Sequence, residues 1–243
     1  GVFASLTNAG GAFTKLNSLG ASCNVTFSVI SDLPGETGSV VLNQWTEVGA
    51  GGYTLTIKPS GAPRVISGPS TASGLIILNG ADRVTIDGSL SGGTDRSLTL
   101  TNTNAAGVGI WIASASAANG AHNDTVKNCI IIGGSGTTSV VGIIAGSGAT
   151  VGNPADAPNS NNTIQNNAIT KFQNAAFLSG NATTPDVNWL VTGNTFGSTL
   201  AADKLGFRGM LIGGSQAFTI SNNTINGVVS STTSTSTMDG LQL

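Results

Sequence analysis

Charged side chains are scarce in this chain. Lysine and arginine number 9 and aspartate and glutamate number 11 among 243 residues, which gives a net charge of −2. This composition excludes the basic surface typical of nucleic-acid binding and the polybasic patch typical of binding to anionic membranes. The sequence also has no run of 18 apolar residues, so it predicts no transmembrane helix. Asn, Thr, Ser and Gly must therefore provide the solubility.

One phrase recurs along the chain, as NDTVKNCII (123–131), NNTIQNNAI (161–169), NWLVTGNTF (188–196) and AFTISNNTI (217–225). A second phrase recurs between these copies, as GLIIL, GIWIA, GIIAG, AAFLS, GMLIG and GLQL. Both phrases return about every 33 residues, the first centred on Ile57, Ile86, Val126, Ile164, Val191 and Ile220, the second starting at Leu75, Ile110, Ile143, Ala176, Met210 and Leu241. Two phrases that share one period indicate a solenoid.

The repeated phrases have the chemistry of β-strands. They are rich in Ile, Val, Thr and Phe, they alternate apolar and polar residues, and they are separated by Gly, Asn, Ser and Thr. The sequence therefore predicts an all-β fold, a right-handed parallel β-helix of about 33 residues per coil. An up-and-down barrel or a sandwich is the alternative, but neither predicts two phrases in a fixed register.

The N-terminal part differs from the repeats. Apolar residues at roughly helical spacing predict a short amphipathic capping helix over residues 1–22, which would cover the first coil. Residues 23–50 are expected to hold a first strand and an irregular segment, and residues 51–243 the stacked coils of one domain. The stretch SSTTSTST (230–237) predicts a polar loop. Because the chain begins at Gly1 and ends within a phrase, we expect it to be a segment of a longer chain, or to be covered there by a partner.

Several strings resemble the right-handed parallel β-helix modules of large secreted Bacteroidetes proteins, within the pectin-lyase-like superfamily. They are LIILNGADRVTIDGS (75–89), IWIASASAANGAHNDTVKNC (110–129), NNTIQNNAITKFQNAAFLSGN (161–181) and FTISNNTING (218–227). The resemblance implies an extracellular or cell-surface location and export by the type IX secretion route. It implies as partners other domains of the same surface protein, or neighbouring chains.

Asparagines recur where the first phrase turns, at Asn128, Asn166, Asn167, Asn194, Asn222 and Asn223, with Gly193 in the same series. Asn tolerates the left-handed backbone of a sharp bend and bonds locally to the main chain. Stacked coil over coil, the amides are expected to form a structural ladder. The alternative is a row of asparagines that binds sugar.

The second phrase predicts a column of outward-facing residues, five of six of them apolar. If Ile110 and Ile112 point inward, the column comprises Ile76, Trp111, Ile144, Phe177, Leu211 and Gln242. A row of this kind is larger than scattered surface hydrophobes and is typical of a contact surface. Three alternatives remain open: loops that fold over the column, a partner or neighbouring chain, and a glycan platform built on Trp111 and Phe177.

Chemistry-bearing residues are few. Asp124, Asp156 and Asp186 fall in loops at one edge, where a Ca²⁺ site is conceivable but solvated acids are the better interpretation. The only histidine, His122, has no nucleophile signature nearby, and the polygalacturonase-type signatures NTD, GHG and RIK are missing. Cys23 and Cys129 are expected to be buried free thiols, because several coils separate them; a disulfide is the alternative.

These observations favour a non-catalytic structural or adhesive module of a secreted or cell-surface protein, with no catalytic residues, no metal and no cofactor. The first alternative is a polysaccharide-binding domain or a polysaccharide lyase or hydrolase, with glycans as partners. The second is a filament-forming subunit that stacks end to end.

Overall fold

The protein is an all-β parallel solenoid with one α-helix at its N-terminus, as the sequence predicts. The structure is a computed structural model that describes residues 1–70, 74–229 and 239–243. The polar loop predicted at residues 230–237 lies outside the described residues.

Three seven-stranded sheets run along the solenoid, and successive strands of the chain enter them in turn, so that one strand of each sheet makes up a rung. Sheet 1 contains Val25–Val29, Leu55–Pro59, Val84–Asp87, Thr125–Lys127, Thr163–Gln165, Leu190–Thr192 and Thr219–Ser221. Sheet 2 contains Leu33–Pro34, Arg64–Gly68, Leu98–Asn102, Cys129–Ile132, Ala168–Thr170, Thr195–Gly197 and Thr224–Asn226. Sheet 3 contains Leu42–Asn43, Gly74–Asn79, Val108–Ser114, Val141–Ser147, Asn174–Ser179, Arg208–Gly213 and Asp239–Gln242.

Two small elements lie outside these sheets. Asp186–Val187 and Ser215–Gln216 pair as a separate two-stranded parallel sheet. Ala201–Asp203 is a turn of 3₁₀ helix. The two-stranded sheet lies in segments that connect consecutive rungs, whereas the 3₁₀ turn lies within one rung, between its strands of sheets 2 and 3.

All the strand pairs of the described residues are parallel, and their register confirms the stacking. In sheet 1, Val126 lies between Ile86 and Ile164. In sheet 3, Ile143 lies between Ile110 and Ala176. Residues at equivalent positions of successive rungs thus form a column, here called a file. These two inward-facing files are fully buried, because each β-branched or aliphatic side chain packs on its counterpart in the next rung.

The α-helix, Ala12–Leu19, is shorter than the segment 1–22 in which the sequence placed it. It ends at Gly20, whose φ is +70° and whose added Cβ would lie 2.1 Å from the carbonyl oxygen of Thr46. Phe13 and Leu16 are buried and join the hydrophobic core. The helix therefore packs its apolar face on the core, as an amphipathic capping element does.

Residues 5–7 adopt no helix because a buried carboxylate holds their backbone. Glu36 accepts hydrogen bonds from the backbone N–H of Leu6 at 2.9 Å and of Thr7 at 2.6 Å. It also accepts bonds from the hydroxyls of Thr7 at 2.6 Å and Ser5 at 3.0 Å. Four donors on one carboxylate compensate for the loss of its hydration.

Candidate functional site

The bend between sheets 1 and 2 is built from left-handed residues. The file contains Asn128 (φ 58°), Asn166 (φ 51°), Gly193 (φ 67°) and Asn222 (φ 55°). Asn and Gly tolerate this conformation at low cost, which explains why only these two residue types occur in the file.

The asparagines that directly follow these left-handed residues, Asn167, Asn194 and Asn223, form an amide ladder. Oδ1 of Asn194 accepts hydrogen bonds from the backbone N–H and from Nδ2 of Asn167, at 2.9 and 3.1 Å. Oδ1 of Asn223 accepts the same pair of bonds from Asn194, at 3.0 and 2.9 Å. At the other end, the backbone N–H of Cys129 donates to Oδ1 of Asn167 at 3.0 Å. The polar atoms of these amides are thus directed along the solenoid, between rungs.

The left-handed file carries side-chain bonds as well. Nδ2 of Asn166 donates to Oδ1 of Asn128 at 2.7 Å, and Nδ2 of Asn128 donates to Asp87 at 2.8 Å. The Arg96 guanidinium donates to the carbonyl oxygen and to Oδ1 of Asn166, at 2.8 and 2.9 Å. Burial opposes ionisation of Asp87, yet the hydrogen bonds from Asn128 and Ser89 hold its pKa below the ordinary value. These contacts favour the structural ladder over a sugar-binding row.

A second polar file, not predicted from the sequence, precedes sheet 1. The backbone N–H of Asp124 donates to Oδ1 of Asn162 at 2.7 Å, and that of Val84 donates to Oδ1 of Asp124 at 2.8 Å. The repeated phrase contains the information that predicts this file, since an alignment of its copies NDTV and NNTI pairs Asp124 with Asn162. An acid thus occupies a position that an amide occupies in the next rung.

The prediction that the loop acids are solvated was wrong for two of the three. Asp124 and Asp186 are both fully buried, whereas Asp156 is exposed. Burial raises the pKa of Asp124 well above its ordinary value. Burial also raises the pKa of Asp186 to about 6, although the backbone N–H of Asn159 donates to its Oδ1 at 2.8 Å. No group of three or more His, Cys, Asp or Glu side chains with metal-binding spacing occurs in the described part of the chain.

The outward column of sheet 3 differs from the prediction at Ile76. The register pairs Ile76 with the inward Ile110 and pairs Ile77 with Trp111, so Ile76 lies in the core and Ile77 belongs to the column. The error arose from aligning Leu75 with Ile110, because the apolar run of this copy offers no alternation to fix the register. Ile144, Phe177, Leu211 and Gln242 occupy the column as expected.

Half of this column, at its N-terminal end, is buried rather than free. Ile77 and Trp111 are each 5% exposed and Ile144 is 0% exposed. Together with Val108, Ala113 and Val141 they form a second hydrophobic cluster outside sheet 3, against which Val41, Val140, Val151 and Phe177 pack. Of the three alternatives, the arrangement matches the one in which the chain folds over its own column. Phe177 and Leu211 stay half-buried.

The side chains of Arg83 and His122 bind other groups of the chain. The Arg83 guanidinium lies 2.8 Å from Glu47 and 3.8 Å from Asp82, and its Nε donates to the Tyr53 carbonyl at 3.1 Å. Nδ1 of His122 accepts the backbone N–H of Ser160 at 3.3 Å, and the His122 backbone donates to Asp82 at 2.8 Å. These groups tie one rung to another.

The two cysteines are free, as expected, but only one is buried. Cys129 lies in the core, and burial raises the pKa of its thiol far above the ordinary value. Cys23 is exposed, because it precedes the first strand of sheet 1 rather than facing the core.

Carboxylates serve the backbone throughout the solenoid. Eight of the eleven acids accept a hydrogen bond from a backbone N–H, namely Asp32, Glu36, Glu47, Asp82, Asp87, Asp95, Asp124 and Asp186. In five of these the donor lies 27 to 40 residues away, on a neighbouring rung or on the N-terminal segment. The acids therefore connect successive turns of chain.

Comparisons with family models, with curated proteins and with solved structures found no match to this chain. Within the described residues there is no helix of the length and apolar character needed to cross a membrane.

Proposed function

We propose that the chain is a non-catalytic structural or adhesive module of a secreted or cell-surface protein. The observation that carries the proposal is the use of the acids: eight of eleven accept backbone N–H groups of the chain itself. Acid–base catalysis needs a carboxylate free to exchange a proton with a substrate. Acids committed to main-chain donors instead stabilise a stiff, extended body, which suits a spacer.

The amide ladders support the same proposal. Amides bonded along the axis keep neighbouring rungs in register and leave few polar atoms for an external ligand. The cell-surface location, the export by the type IX route and the Bacteroidetes origin rest on the sequence resemblance. They belong to the proposal, together with the other domains of the parent protein as partners.

The test against an enzyme is incubation with pectins, alginate and other uronans, followed by assays for unsaturated products and new reducing ends. We expect no turnover. Turnover that Arg83→Ala or a single Asp→Asn substitution abolishes would contradict the proposal and favour a polysaccharide lyase or hydrolase. Light scattering at increasing concentration should show no growth in mass; growth would favour a filament-forming subunit.

Glycan binding is the second candidate, and the half-buried Phe177 and Leu211 favour it. They stand next to each other in the outward column, in register on adjacent strands, and aromatic and aliphatic faces of this kind pack on sugar rings. A glycan array should be probed with the wild-type chain, with Phe177→Ala and with Ile130→Ala as the control, a half-buried outward residue of sheet 2. Binding lost only in Phe177→Ala would establish this candidate; equal signals in all three would exclude it.

A further inference from the structure

Four asparagines in the two files beside sheet 1, Asn162, Asn167, Asn194 and Asn223, obey one hydrogen-bonding rule. Oδ1 of each Asn accepts the backbone N–H of its counterpart in the preceding rung, and Nδ2 donates to the carbonyl three residues before that counterpart. Asn167 bonds in this way to the N–H of Cys129 and the carbonyl of Val126, at 3.0 and 2.9 Å. Asn194 bonds likewise to the N–H of Asn167 and the carbonyl of Ile164, at 2.9 Å each.

The file that precedes sheet 1 follows the same rule. Asn162 bonds to the N–H of Asp124 at 2.7 Å and to the carbonyl of Ala121 at 3.0 Å. Asp124 takes the corresponding place one rung earlier, and its Oδ1 accepts the N–H of Val84 at 2.8 Å. Three residues before Val84 is Ala81, which is fully buried.

The second oxygen of Asp124 has no donor. Oδ2 is buried and has no hydrogen-bond partner among the residues that the structure describes. From the rule of the file we infer that Oδ2 takes the place that the NH₂ group takes in Asn162, facing the carbonyl oxygen of Ala81. Two acceptors in contact repel, and an ionised carboxylate without compensation is costly to bury. A proton on Oδ2 turns the repulsion into a hydrogen bond.

We propose that Asp124 is a neutral carboxylic acid at neutral pH, that its Oδ2–H donates to the carbonyl of Ala81, and that it thereby acts as a proton-dependent rung of the amide ladder. The buried acid then serves as a pH-sensitive device within the fold, since the ladder is complete only while the proton is present.

The charged surroundings agree with this assignment. Burial is the main cause that raises the pKa of Asp124, and the negative charge of Asp82 adds to it. The Arg83 guanidinium opposes the rise, but it is shared with Glu47 and Asp82. On its own segment the nearest titratable side chain is His122, whose Nδ1 is occupied as an acceptor. From the following rung the facing residue is the uncharged Asn162.

The sign of the effect follows from linkage. The folded chain keeps a proton that the unfolded chain releases above the ordinary aspartate pKa of about 3.9. The stabilisation is therefore complete below that pH and is lost as pH rises toward the folded pKa. In that interval the unfolding equilibrium constant increases about tenfold per pH unit for each retained proton.

The experiment compares the wild-type chain with Asp124→Asn, which places a permanent NH₂ donor at the same position. Infrared spectroscopy at neutral pH should show a protonated-carboxyl stretching band that the variant lacks. Urea unfolding gives an unfolding equilibrium constant for each chain. The constant of the wild type divided by that of Asp124→Asn should rise about hundredfold from about pH 5 to about pH 7. Asp156→Asn, at an exposed acid, is the control. It should keep the wild-type infrared band, and the ratio of unfolding constants, wild type over Asp156→Asn, should not change with pH.

The converse substitution gives a second readout. Asn162→Asp puts a carboxyl in the same file one rung later, and it should add a band and a further pH dependence. A wild-type spectrum without the band at neutral pH overturns the proposal, whatever the stability of the variants. An Asp124→Asn chain that keeps the wild-type pH dependence overturns it as well.

Discussion

Oδ1 of Asn194 accepts two hydrogen bonds from Asn167 of the preceding rung, one from the backbone N–H at 2.9 Å and one from Nδ2 at 3.1 Å. Asn194 repeats the arrangement toward Asn223. The same side chain thus satisfies a buried backbone donor and extends the ladder to the next turn. This double use makes the second residue of each Asn pair a structural determinant rather than a surface ligand.

Asn194→Ala should therefore be strongly destabilising. The substitution leaves the buried N–H of Asn167 without its acceptor, which costs about 1–3 kcal/mol, and removes the Nδ2 donor to the carbonyl of Ile164. Urea unfolding should show a total loss of about 2–5 kcal/mol. Gln165→Ala, at an exposed position in sheet 1, is the control and should change the stability little. A loss as small as that of the control would show that the ladder contributes nothing.

Gly193→Asn should be tolerated. Gly193 has φ 67°, its added Cβ would meet nothing nearer than the backbone nitrogen of Asn166 at 3.9 Å, and Asn already occupies this file. We expect a change within about 1 kcal/mol. Gly197→Asn is the matched control, because it has φ 80° but its Cβ would lie 1.9 Å from the carbonyl of Asn226. Thermal melts in which Gly193→Asn and Gly197→Asn lower the melting temperature equally would contradict the prediction.

Trp111→Ala should lower the free energy of unfolding by about 3–5 kcal/mol, as removal of a buried aromatic side chain does. The reason is that Trp111 is 5% exposed within the cluster outside sheet 3. Trp111→Phe should recover most of the loss by filling the same space. An alanine variant as stable as the wild type in urea would mean that the cluster around Trp111 is open in solution.

Asp186→Asn should remove a pH dependence of stability between about pH 4 and pH 6. Burial raises the pKa of Asp186 to about 6, so the folded chain retains a proton there and loses stability as pH rises through that value. The contribution, complete below an unfolded pKa of about 3.9, amounts to about 3 kcal/mol. Unfolding curves of wild type and variant between pH 4 and pH 8 should diverge accordingly; parallel curves would contradict the assignment.

Thiol labelling should distinguish the two cysteines. Cys23 is exposed, whereas Cys129 is buried and its thiol is held protonated by burial. Mass spectrometry after brief treatment of the native chain with a maleimide should show one adduct, at Cys23. Treatment in denaturant should give two. Labelling of Cys129 in the native chain would indicate that the core opens at this rung.

Much of the fold follows from the sequence because stacking repeats the same environment at every turn. Val126 and Ile164, or Ile110 and Ile143, occupy equivalent positions, so their common period predicts the pairing. The register failed only at Ile76, where Leu75, Ile76, Ile77 and Leu78 form an unbroken apolar run that fits either face. The left-handed Asn positions were predictable for a similar reason, since few residue types accept that backbone conformation.

The sequence by itself determined the solenoid, its period and the columns of asparagine, because each depends on a local preference repeated at a fixed interval. Only the tertiary structure decided which side chains are buried. Trp111 is buried in a cluster against which Val41, Val140 and Val151 pack, and these three lie outside the repeated phrases. Asp124 and Asp186 are buried although acids in loops are ordinarily solvated. Burial depends on what lies across the fold, and the pKa values and hydrogen bonds of the acids follow from it.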